Sequence, residues 1–62
     1  MTEDEPDYIT ISPAVTPYRY CVMLMHSERG EYVIRKISRA LPHGAAENLA
    51  RSWATALGIG VR

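Results

Sequence analysis

The sequence predicts an α+β fold: a three-stranded antiparallel meander sheet packed by one C-terminal helix. Three observations carry this expectation. Residues 7–12 alternate apolar and polar at the period of a strand. Residues 18–26 and 31–37 are aromatic and β-branched runs separated by a short turn-forming segment, Ser27–Gly30. Residues 45–57 place their apolar side chains at helical spacing.

In the first strand, Ile9 and Ile11 point to one face, while Tyr8, Thr10 and Ser12 point to the other. Pro13 ends it, because proline cannot donate to a ladder, and 13–17 forms the connection. A first strand flanked by prolines suits a sheet edge.

The second strand, Tyr18 to His26, is apolar on both faces: Tyr20, Val22 and Leu24 on one, Cys21, Met23 and Met25 on the other. A strand with one face in water would alternate instead. It is therefore expected at the centre of the sheet with both faces covered, and a single helix can cover only one of them.

Ser27 suits the first position of a type I turn, and Gly30 can adopt the positive φ of a following bulge. That turn would set Ser27 opposite Glu31, Met25 opposite Val33 and Met23 opposite Arg35. A slip of one residue would exchange the faces of the third strand. In that strand, Glu31 to Ser38, Val33 and Ile37 share a face with Arg35, while Tyr32 and Ile34 share one with Lys36.

Pro42 fits a helix start, where its missing N–H costs nothing. From Ala45 to Leu57, the apolar side holds Ala46, Leu49, Ala50, Trp53, Ala56 and Leu57. Trp53, the largest of these, is the expected anchor between helix and sheet. Glu47 and Arg51 stand at i,i+4 in the favoured order. Gly58 is the expected left-handed stop, with Ile59 folding back onto Trp53 or Ala54 and 60–62 left as a short tail.

The domain organisation is one small domain, residues 7–62, behind a disordered acidic tail, residues 1–6. A chain of 62 residues buries only about 60% of the surface its unfolded form exposes. Domains this small usually add disulfides, a metal or a partner subunit. Cys21 is the only cysteine, and Cys21, His26 and His43 are too few and too badly spaced for a zinc site. No metal or cofactor is expected, and a partner subunit is the remaining remedy.

No run of about 18 apolar residues exists, and the first residues are acidic rather than basic and apolar, so neither a membrane span nor a signal peptide is read. One thiol without an export signal points to a cytoplasmic location. The net charge of zero conceals an asymmetry. Residues 1–7 hold four acids and no base, while residues 8–62 hold all seven bases and three acids. The tail either solubilises the chain or screens a basic surface until a polyanion displaces it.

Catalytic constellations are missing. Cys21 and His26 have opposite strand parity, so no thiol–imidazole pair forms between them. The acids supply no convincing pair, and Gly58-Ile-Gly60 follows a helix where a phosphate loop would precede one. The protein is read as a non-enzyme without a small-molecule substrate.

Two surfaces remain. The first is the thiol and thioether face, Cys21, Met23 and Met25, joined by Val33 in the expected register. Methionines adapt to a partner's shape, and such a face is costly to leave in water. It motivates a small binding or regulatory protein, such as an inhibitor or adaptor, that contacts a second copy of itself or another protein there. The second is basic with interleaved aromatics: Arg19, Tyr20, Tyr32, Arg35, Lys36 and Arg39. Arginines grip phosphates and exposed tyrosines stack on bases, which gives a nucleic-acid-binding regulator as the alternative. In order of elements alone, three strands backed by one helix is similar to the DNA-binding domains of AP2-type factors and the arm-binding domains of tyrosine recombinases, and that resemblance implies DNA contact.

Overall fold

The computed structural model describes residues 6–62. Its elements are β1 (Tyr8–Pro13), β2 (Tyr20–Glu28), β3 (Glu31–Ile37), α1 (His43–Leu57) and β4 (Gly60–Val61). The first three strands form the expected antiparallel meander with the helix after them, and β2 is central as its two-sided apolar pattern required. The tail expected over residues 1–6 lies, for residues 1–5, outside the described residues.

The sheet order is β3-β2-β1-β4. The fourth strand corrects the expectation of a short C-terminal tail. Gly58, at φ 69°, reverses the chain, and the Ile59 N–H donates to the Ala54 carbonyl at 3.0 Å. Gly60 and Val61 then run parallel to β1, opposite Tyr8 and Ile9, and the Arg62 N–H donates to the Ile9 carbonyl at 2.7 Å. β1 is therefore interior at its start, not an edge strand.

The hairpin turn is one residue tighter than expected. Glu28 pairs with Glu31, leaving Arg29 and Gly30 as a two-residue loop with φ values of 54° and 83°. Positive φ at both positions marks a type I′ turn, whose twist matches that of the strands it joins. The register moves with it: Ser27 faces Tyr32, His26 faces Val33 and Met25 faces Ile34. Between Leu24 and Met25 the register shifts again, so that Leu24 faces Lys36 and Met23 faces Ile37, with Arg35 as the extra residue. Ser38 repairs the ladder beyond the strand's end. Its Oγ accepts the Val22 N–H at 2.8 Å, and its own N–H donates to the Val22 carbonyl at 2.8 Å.

The core lies between α1 and one face of the sheet: Ile9, Val22 and Leu24 meet Ala46, Ala50 and Ala54. Three alanines at i, i+4 and i+8 form the helix's contact line, which lets the backbones approach closely. Leu49, Trp53 and Ile59 are partly buried beside it. Trp53 thus flanks the helix–sheet contact, where it was expected as the anchor, and Ala56 and Leu57 are exposed, where they were expected to face the core. Glu47 meets His43 at 3.2 Å on an exposed turn, not Arg51.

Candidate functional site

Strand parity sorts the sheet into two unlike faces. Tyr20, Val22 and Leu24 turn toward the helix with Ile9 and Ile11. Cys21, Met23 and Met25 turn away from it, together with Tyr8, Thr10 and Ser12 of β1. The turn register puts Ile34 on that second face, and the shift at Arg35 adds Ile37 to it. Ile34 sits beside Met25 and Ile37 beside Met23, although three positions separate them in sequence. The result is a compact apolar stripe of Met23, Met25, Ile34 and Ile37, in which the isoleucines are 53% and 56% exposed.

Val33 does not join this stripe. The register expected from a three-residue loop placed it there, but the type I′ turn sets it opposite His26, on the other face. Even so, Val33 remains 40% exposed, because α1 packs on β1, β2 and β4 and not on β3. The helix reaches β3 through one side chain, with Lys36 Nζ lying 4.8 Å from the centre of the Trp53 ring. β3 is thus exposed on both faces and free along its outer margin among the described residues.

One end of the open face is closed by aromatics. Tyr8 and Tyr32 lean over β2 edge to face, ring centres 4.9 Å apart, and Ser27 between them is buried. The Tyr32 hydroxyl donates to the Pro6 carbonyl at 3.2 Å, and Arg62 lies 4.5 Å over the Tyr8 ring.

The residues of the alternative nucleic-acid surface are not gathered into one patch. Tyr20 stands edge-on to His43 on the helix side, at 5.0 Å. Tyr32 is engaged with Tyr8 on the opposite face, and Lys36 is held on Trp53. Arg19 and Arg39 are exposed in the segments before β2 and after β3, and Arg35 occupies the bulge. Tyr20 and Tyr32 lie on opposite faces of the sheet and so form no single stacking row.

Little of the geometry suits catalysis. His26 Nδ1 meets Asp7 Oδ1 at 2.8 Å, with both side chains partly exposed. Cys21, on the opposite face, is a half-buried free thiol. Among the described residues, no group of three or more His, Cys, Asp or Glu side chains could hold a metal ion, and no helix is long and apolar enough to cross a membrane. A depression of about 170 Å³ lined by Ile11, Glu47, Ala50, Arg51 and Val61 lies between α1 and the sheet. It is smaller than the ~300 Å³ at which ordinary ligand pockets begin.

Sequence reasoning placed Cys21, Met23 and Met25 on one face and missed Ile34 and Tyr32 as their neighbours. The signal that could have found them is the Arg29-Gly30 pair, since a residue followed by glycine between two strand patterns also fits a two-residue turn. No family model, curated protein or solved structure matches this chain.

Proposed function

We propose that this protein is a small, non-enzymatic interaction module. It acts by protein–protein contact through the open side and free margin of its sheet, and its first partner is a second copy of itself. The observation that carries this reading is the stripe Met23, Met25, Ile34 and Ile37, uncovered by the helix in a chain with little other core. A domain of this size gains stability by burying such a surface against a partner. The single thiol suits a reducing compartment, and we place the protein in the cytoplasm.

Sedimentation equilibrium from ten to several hundred micromolar is the first experiment. The expected result is a mass that rises toward twice the 7.0 kDa of one chain. A single-chain mass that stays constant over this range overturns the reading. Retention of mixed-sequence DNA or RNA at low salt, lost on Arg35→Glu, would transfer the function to the nucleic-acid alternative.

A further inference from the structure

We infer that two copies join margin to margin through β3, antiparallel and centred on Val33, to make one continuous eight-stranded sheet. This rests on the self-association proposed above and gives it a geometry. The first reason is exposure. Val33 stands open on the helix-bearing face, Ile34 and Ile37 on the other. A partner laid on either face would shelter one group and leave the other in water. A strand added at the margin sets a cross-strand neighbour beside Val33 on one face and beside Ile34 on the other.

The second reason is the direction of the backbone. In a two-residue turn the N–H of the residue after the loop donates to the carbonyl of the residue before it. Glu31 therefore points its polar groups at Glu28, and the alternation of an antiparallel ladder turns those of Val33 inward as well. The N–H and C=O groups of Tyr32 and Ile34 face outward, and among the described residues no strand lies beside them. An incoming strand must hydrogen-bond to these two residues.

The third reason is charge. Among the antiparallel self-pairings that satisfy the outward groups, the one centred on Val33 sets Tyr32 against Ile34 of the second copy. It also sets Glu31 against Arg35, in both directions by symmetry. A shift of two residues one way sets Ile34 and Arg35 against the turn, Gly30 and Arg29, beyond the end of β3. A shift the other way places Glu31 against Ile37 and Tyr32 against Lys36. Only the centred register pairs opposite charges and puts an aromatic beside a β-branched side chain, the combinations that stabilise cross-strand neighbours.

Of the devices that keep strands apart, the edge has charged side chains and the bulge at Arg35. No proline interrupts 31–37, and Lys36, the lysine that could guard the margin, is drawn back onto Trp53. The bulge at Arg35 ends the ladder after about five residues. The interface is therefore small, and the association belongs in the micromolar, transient class. The two-fold axis stands normal to the sheet, so both helices fall on one side. The two thioether stripes fall together on the other.

The register has a direct test. Val33 would face its own copy as a pair without hydrogen bonds, with Cα atoms about 4.5 Å apart, close enough for a disulfide. In a Cys21→Ser background, Val33→Cys should form a covalent dimer under mild oxidation, whereas the equally exposed Ile37→Cys should not. Glu31→Arg or Arg35→Glu alone should weaken association about tenfold, and the two together should restore it. All of these side chains are exposed, so the variants test contact and not folding. Concentration-dependent dimers that neither cross-link at position 33 nor respond to the charge exchanges would overturn this geometry while leaving self-association in place. A single-chain mass at every concentration would remove both.

Discussion

Ile9 and Ile34 are the same residue type in neighbouring parts of one sheet, yet Ile9 is fully buried and Ile34 is more than half exposed. What separates them is cover. Ile9 belongs to β1, which has β2 and β4 beside it and α1 above it; Ile34 belongs to β3, which has β2 on one side and no helix. A helix about 10 Å across can shelter only two or three strands spaced about 4.8 Å apart. Here α1 is drawn over the β1 half by its alanine line, and β4 takes the place beside β1. The second half of the hairpin is left to find shelter elsewhere. The lesson is that a hydrophobic residue's contribution depends on which strand the helix happens to cross.

The comparison can be broken most decisively at Ile9. Ile9→Ala removes a fully buried side chain and should cost about 3 kcal/mol in urea unfolding. The same truncation at Ile34 should be far milder, and equal costs at the two sites would show that β3 is not the uncovered half. Next in size is Ala50→Leu. Its Cβ lies in the contact line between helix and sheet, where added carbons force the elements apart, at a cost of about 2 kcal/mol. A neutral result by thermal unfolding would mean that the helix sits more loosely than its alanines imply.

A smaller effect, of opposite sign, is expected at the turn. Arg29 holds a left-handed φ that asparagine tolerates better, so Arg29→Asn should stabilise the protein by about 0.5 kcal/mol. In a three-residue loop that position would not be left-handed and the change would gain nothing, so the result sharpens the register assignment. The smallest effect belongs to Ile34→Ala measured in dilute solution, where a change within about 0.5 kcal/mol is expected for an exposed site. At high concentration the same variant should weaken self-association, because Ile34 stands against Tyr32 of the second copy in the inferred register. A large loss of stability in the dilute monomer would place Ile34 in a core.

Much of the local structure was legible in advance. The alternation around Ile9 and Ile11, the two-sided apolar run at 20–25 and the Gly58 stop each act over a few residues, and each appears where its pattern indicated. The central place of β2 followed from its composition, because only an interior strand tolerates apolar residues on both sides. The position of Val33 was not legible. Ser27–Gly30 accommodates a two-residue or a three-residue loop, and the difference of one residue reverses the side chains between the turn and the bulge at Arg35.

The sharing of one face by Ile34 and Ile37 was also hidden. A bulge is a compromise between a straight edge strand and the return of the chain toward the helix, and Arg35 carries no local mark of it. β4 was missed for a related reason. Two residues have no periodicity, and Gly60 and Val61 become a strand only because the helix delivers them alongside β1.

By itself, then, the order of residues determined the kinds of elements, their sequence along the chain and the excess of apolar surface on β2. Those follow from side-chain periodicity and from the few backbone conformations each residue favours. Tertiary structure decided which face the helix took, which strand it failed to reach and which side chains the bulge brought together. These depend on how whole elements fit across space, where a close-packing line of alanines and a one-residue change in a turn outweigh any local preference.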